Sequence, residues 1–193
     1  IIHGETGCGK SSRIPVMLLK AYEASQSYAS QSNASQKRNR ASRRKAKIYV
    51  TQPRRIAART LCTRVRQAFD NPGVVGLKLG HGERDVLDEK QARIWFVTTG
   101  YLSLLIANHP ATLEQTTHLI IDELHERSIE NDLLCLLVKR ALTTRMLNLK
   151  ILLMSATIAA NVYQEYFGMP PSVGPLFIGA RRFPVKEVYA DDL

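Results

Sequence analysis

The sequence predicts an α/β domain of three layers, with helices on both faces of a mostly parallel central sheet. Short, strongly apolar runs recur at 48–51, 74–79, 94–97, 119–121 and 151–154, and none alternates with polar residues. Strands buried on both faces have this pattern, because neither side meets water. Helical patterns fill the intervals, and alternating strands and helices favour parallel pairing through crossover helices. A glycine-rich turn between a strand stub and a helix, near the start, is the third observation. At 193 residues the chain is the size of one such domain; no internal repeat is visible and nothing divides it in two.

Taken in order, Ile1-Ile2-His3 is the stub of a buried strand, so the natural beginning of the protein is expected upstream. Gly4-Glu5-Thr6-Gly7-Cys8-Gly9-Lys10-Ser11 matches GxxxxGK[ST] completely, a loop whose backbone N–H groups cradle phosphate. In such a loop Lys10 reaches the β- and γ-phosphates, and the Ser11 hydroxyl is a Mg²⁺ ligand. A helix is expected over 13–22, with Pro15 early enough for its missing N–H to do little harm. The stretch 25–47 is mainly Ser, Gln, Asn, Ala and basic residues, which cannot offset the entropy of ordering, and is expected to be a disordered basic insertion. An amphipathic helix over 57–69 stops at Asn71-Pro72-Gly73. Only a short helical turn fits 89–92. A helix over 99–106 puts Leu102, Leu105 and Ile106 on one face. Another around 130–142 offers Leu133, Leu134, Leu137 and Leu142 for burial, and a last one over 161–167 ends at Gly168 and Pro170-Pro171.

The net charge of +10 is concentrated: 37–47 carries seven basic residues and no acidic one, leaving +3 for the rest. Three roles are open to that segment: a phosphate-holding tether with little sequence preference, a docking or nuclear-targeting element, or a passive loop. Cys8, Cys62 and Cys135 are widely spaced, form no metal or disulfide pattern, and favour a reducing compartment. No run of 18 apolar residues occurs, so no membrane span is expected. The expected location is intracellular, nucleus or cytoplasm.

The apolar run that ends at Ile121 is followed by Asp122-Glu123-Leu124-His125. A carboxylate at that point leaves the C-terminal edge of a parallel sheet, beside a phosphate loop on the same edge. Asp122 is then placed to hold Mg²⁺ and Glu123 to orient or deprotonate an attacking water. His125 has no cysteine or second histidine at ligand spacing, so zinc is not expected. Arg54 and Arg55 follow the 48–51 strand, and Thr98 and Thr99 follow the 94–97 strand. Arginines and hydroxyls at strand ends can grip a nucleic-acid backbone without reading sequence; the lesser alternative for Arg54 is an ion pair within the fold.

These blocks together resemble the DEAH-box (DExH-type) superfamily 2 RNA helicases. The residues that carry the resemblance are Gly4 to Ser11, Thr51-Gln52-Pro53-Arg54-Arg55-Ile56-Ala57-Ala58 (motif Ia), Thr98-Thr99-Gly100 (motif Ib), Asp122-Glu123-Leu124-His125 with Glu126-Arg127 (motif II), and Ser155-Ala156-Thr157 (motif III). The resemblance implies a RecA-like P-loop NTPase domain, the first of two, with Arg181-Arg182-Phe183-Pro184-Val185 where it hands over to the second. It implies ATP and Mg²⁺ as cofactors, with residues 4–11 and Arg64 around the nucleotide, Arg64 stacking on the base. It further implies RNA across Arg54, Arg55, Thr98 and Thr99, hydrolysis by Lys10, Asp122 and Glu123, and coupling to domain motion through His125, Ser155 and Thr157. Two departures stand out. Leu124 replaces the family's alanine at a position expected to face the core, and the basic insertion lengthens the interval between motifs I and Ia.

The resemblance implies 3′-to-5′ unwinding by the whole protein, with a second RecA-like domain in cis, an activating protein cofactor as a further possible partner, and no membrane. Charge stabilisation opposite the phosphate loop normally comes from arginines of another domain. The 193 residues alone are therefore expected to bind nucleotide but to turn it over slowly. A nucleotide-gated RNA clamp without unwinding, or a DNA-directed superfamily 2 enzyme, would use the same motifs.

Overall fold

The computed structural model describes residues 1–5, 7–32, 44–145, 148–156, 160–170 and 172–179. Its strands, in chain order, are β1 (Ile2–His3), β2 (Ile48–Gln52), β3 (Val75–Lys78), β4 (Arg84–Asp85), β5 (Ile94–Thr98), β6 (His118–Ile121), β7 (Lys150–Ser155) and β8 (Leu176–Phe177). Its helices are α1 (Lys10–Ser32), α2 (Arg55–Arg66), α3 (Thr99–Asn108), α4 (Ala111–Gln115), α5 (Ile129–Arg145) and α6 (Ala160–Tyr166). The strands form one sheet in the order β4-β3-β5-β2-β6-β7-β1-β8. Every pair is parallel except β3–β4.

Every residue of β2, β5 and β6 is buried, which is what their unbroken apolar runs require. On one face Ile48, Val50, Ile94, Phe96 and Ile120 pack under Ile14 and Leu19 of α1 and Ala58, Cys62 and Val65 of α2. On the other, Tyr49, Trp95, Val97, Leu119 and Ile121 pack under Leu102 and Ile106 of α3, Leu113 of α4, Leu134 and Val138 of α5, and Tyr163 of α6. The three-layer expectation holds. Among the described residues no helix is long and apolar enough to cross a membrane.

One packing detail yields a test. Gly76 of β3 lies beside Trp95 of β5, and a Cβ added there would meet Trp95 Cζ3 at 2.7 Å and Cε3 at 2.9 Å. The indole is nearly fully buried and Lys78 Nζ sits 4.1 Å from its ring centroid, so the ring has little freedom to retreat. Gly76→Ala is expected to cost about 1–3 kcal/mol by overpacking. Urea unfolding at constant m would measure it, and an unchanged midpoint would show that the ring repacks freely.

Three features depart from expectation. α1 continues to Ser32, so residues 25–32 of the stretch expected to be disordered are helical. No glycine or proline interrupts them, and the Ser25 and Ser27 hydroxyls bond back to the Tyr22 and Ala24 carbonyls. At the other end of the same stretch, Arg44 bonds the carbonyls of Glu114 and Thr116, and Tyr22 donates to the Arg44 carbonyl at 3.0 Å. Residues 33–43 lie outside the described residues, as do residues 181–185 of the expected domain handover. The short elements β4, α4 and β8 had no periodic signal. β8 exists because Leu176 and Ile178 donate backbone bonds to Ile1 and His3.

The register positions the site. Gln52 lies level with Thr98, Thr51 with Ile121, Ile121 with Leu153 and His3 with Ser155. The chain therefore leaves β1, β2, β5, β6 and β7 along the same edge.

Candidate active site

Gly7 and Gly9 take φ of 81° and 91°, the left-handed region where a side chain is strained. That freedom lets the chain turn from β1 into α1 within a few residues; Thr6 lies outside the described residues. Lys10 opens α1 and is 8% exposed. Its ammonium donates to the Gly4 carbonyl, to the Glu5 carbonyl at 2.8 Å and towards Cys8 Sγ at 3.6 Å. No described carboxylate lies within ion-pair distance of it. A buried ammonium whose direct contacts are carbonyls, with the Asp122 and Glu123 charges acting on it only from beyond ion-pair distance, is costly, and a phosphate is the partner that would compensate it. The loop fits a nucleoside triphosphate on that ground.

Asp122 emerges from β6 and is 1% exposed. Gln52 Nε2 donates to its Oδ2 at 2.5 Å, the Glu123 N–H to its Oδ1 at 2.9 Å, and the Ser11 hydroxyl also bonds it. Burial pushes this carboxyl above the ordinary range, against the pull of those donors and of the Lys10 charge. The fold thus joins Ser11 to Asp122, the pair expected to hold Mg²⁺. A hydroxyl and a carboxylate suit a hard cation that takes its other ligands from phosphate and water. Among the described residues no group of three or more His, Cys, Asp or Glu side chains is placed to hold a metal.

Glu123 has φ 55° and ψ 37°, a left-handed conformation rare for a residue with a side chain. A 3₁₀ turn over Leu124–Glu126 follows, closed by Arg127 in the same conformation. Burial first, and then the Asp122 charge, push the Glu123 carboxyl upward, as suits a proton acceptor. Leu124 points into the core at 1% exposure, as expected, and its carbonyl accepts from the Tyr163 hydroxyl of α6 at 3.1 Å. His125 Nδ1 lies 3.4 Å from Glu123 Oε2 and accepts from the Ala156 N–H at 3.3 Å. One ring nitrogen cannot accept from Ala156 and donate to Glu123 at once, so the two contacts belong to different protonation states. Among the described residues, motif III reaches His125 through the Ala156 backbone N–H. Ser155 is buried and its carbonyl accepts from the Gly4 N–H; Thr157 lies outside the described residues.

On the flank of this edge Arg54 is 75% exposed and paired with Glu126 at 3.2 Å, while Arg55 and Arg59 share Glu83. Exposed pairs of this kind are weak and exchange readily for phosphate. Thr98 is largely buried at the strand exit. Thr99 corrects the expectation. It is 0% exposed and its hydroxyl bonds Asn131 Oδ1 at 3.2 Å, because the first turn of α3 is packed against α5. Its side chain is not available to a nucleic acid. Arg64 is exposed on α2, opposite the buried Ala58, Cys62 and Val65, and α2 packs beside α1. A cavity of about 920 Å³ adjoins Arg55, Thr98, Gly100 and Leu104.

Sequence reasoning missed Gln52 and Asn131. Gln52 carried a signal, an amide closing an otherwise apolar strand. Asn131 carried none, since its partners are 32 and 8 residues away.

A family model described as DEAD/DEAH box helicase matches residues 1–165. The whole chain is 35% identical to spindle-E of Drosophila willistoni, described as a probable ATP-dependent RNA helicase, covering 12% of it. It is 34% identical to the ATP-dependent RNA helicase TDRD9 of Homo sapiens, covering 13%. The chain thus spans about an eighth of the length of these relatives. Among solved structures, the Escherichia coli DEAH/RHA helicase HrpB is similar, with a TM-score of 0.71 and 28% identity over 96% of this chain and 21% of that one.

Proposed function

Given that the chain belongs to the DEAD/DEAH box helicase family, as a DEAH/DExH-type RecA-like domain, we propose that it binds Mg-ATP and an RNA backbone along one sheet edge. In the whole protein, joined to a second RecA-like domain, it couples ATP hydrolysis to 3′-to-5′ unwinding. The observation that carries this reading is the shared edge: the phosphate loop, the Asp122–Glu123 pair and Arg54 all follow parallel strands in register.

Lys10 exchanges the Gly4 and Glu5 carbonyls for phosphate oxygens, so its buried charge gains an anionic partner. Ser11 and Asp122 would hold Mg²⁺, which supplies Lewis-acid charge to the phosphates when bound. Gln52 fixes the Asp122 carboxylate. Glu123 orients the attacking water and accepts its proton at a carboxylate oxygen. Arg64 lies against the base. Arg54 and Arg55 release Glu126 and Glu83 to take RNA phosphates. Thr98 and the backbone N–H groups opening α3 lie on the same track. His125, Ser155 and Thr157 couple hydrolysis to movement of the second domain.

Strand separation by the full-length protein tests the reading. Duplex RNA with a 3′ single-stranded overhang is expected to be unwound only with ATP, while blunt and 5′-tailed duplexes remain paired. ATP-dependent RNA retention without strand separation would favour a clamp. Equal or better unwinding of the matching DNA would favour a DNA-directed enzyme.

A further inference from the structure

Asn131 belongs to neither the phosphate loop nor any motif named above, yet it is 0% exposed. It sits in the first turn of α5, and its N–H donates to the Ser128 hydroxyl at 3.2 Å, an N-cap that fixes its backbone. Its side-chain amide faces two ways. Oδ1 accepts from the Thr99 hydroxyl at 3.2 Å, and Nδ2 donates to the Glu123 carbonyl over a long 3.4 Å bond. The two helix starts come close here, since a Cβ on Gly100 would meet Glu130 Oε1 at 3.0 Å.

Glu123 needs such support. Its left-handed backbone, at φ 55°, is unfavourable for a residue with a side chain. Its peptide groups are held on both sides, the N–H by Asp122 Oδ1 and the carbonyl by the Glu126 N–H of the following turn at 3.0 Å and, from the neighbouring helix, by Asn131. Thr99, for its part, begins the helix that follows Thr98 on the RNA-facing edge, and its hydroxyl is spent inside the fold. A single buried amide therefore bridges the start of α3 and the residue that handles the water proton.

We propose that Asn131 is a positioning residue, holding Glu123 in its working conformation and tying it through Thr99 to the edge that meets RNA. The inference rests on the proposed ATP hydrolysis and on Glu123 as its base. Any shift of the α3 start upon RNA binding then reaches the Glu123 backbone through two hydrogen bonds. Asn131 touches neither nucleotide nor RNA, so its loss changes the rate of the chemical step while ground-state binding stays as it was.

The test uses the full-length protein, with RNA-saturated ATP turnover as readout. N131A, which removes both bonds of the bridge, and the near-isosteric T99V, which removes the one to Thr99, are each expected to lower kcat by about tenfold, while KM for ATP and apparent RNA affinity stay within about twofold. T99S, which keeps the hydroxyl, should restore most of the rate. The T99V/N131A double variant should be no slower than N131A, because both remove the same bridge. Thermal melts accompany each variant, and if N131A fails to fold, the T99V and T99S pair decides alone. Wild-type kcat in T99V, no recovery in T99S, additive losses, or a KM change at constant kcat would each overturn the inference. If wild-type RNA-stimulated turnover is abolished by K10A while T99V matches wild type, only this inference falls. If the wild type shows no such turnover, the proposed function falls with it.

Discussion

Lys10→Ala is expected to weaken Mg-ATP binding to the full-length protein by about 100-fold or more, and to remove turnover with it. The size follows from one or two charge-assisted bonds to phosphate at about 1.5–3 kcal/mol each, made by a buried lysine with no described carboxylate within ion-pair distance. Alanine would also leave the Gly4 and Glu5 carbonyls without their donor, so some loop rearrangement accompanies the loss. Nucleotide titration with magnesium, followed by calorimetry or fluorescence, reads it directly. Unchanged affinity would remove residues 4–11 from the nucleotide site.

The second large effect separates binding from chemistry. Glu123→Gln keeps size and shape but cannot accept a proton at neutral pH. Turnover is expected to fall by about 100- to 10,000-fold, the range of a general base, with ATP affinity within about twofold. Binding survives because the phosphate-facing groups, Lys10, Ser11 and Asp122, are untouched. Asp122 also keeps the Glu123 N–H as a donor, since that bond is from the backbone. Normal turnover would transfer the base role elsewhere. A parallel collapse in ATP affinity would mean that Glu123 supports the nucleotide rather than the water.

Most of the fold was legible because it is written in local pattern. Doubly buried strands must be apolar along their whole length, and β2, β5 and β6 are buried at every position. The phosphate loop and motif II were legible because their chemistry demands residue types at set spacing. Legibility ended where the third dimension decides. Residues 25–32 are individually indifferent between helix and coil, and a helix already started at Lys10 carried them along. The Thr98-Thr99 pair reads as two exposed hydroxyls, but the packing of α3 on α5 turns the second one inward. Arg54 forms the ion pair weighed for it, with Glu126, while staying exposed at the strand edge. Asn131 had no signal at all, being an ordinary polar residue in a helical stretch until Thr99 and Glu123 close around it.

The account centres on one edge of one sheet serving nucleotide and RNA together. Steady-state ATP turnover by the full-length protein, titrated with single-stranded RNA, tests that most directly. The account predicts a saturable rise in kcat with RNA, and for an R54A/R55A variant the same rise displaced to higher RNA concentration. Turnover indifferent to RNA at every concentration, or an unchanged RNA dependence after loss of both arginines, would contradict it.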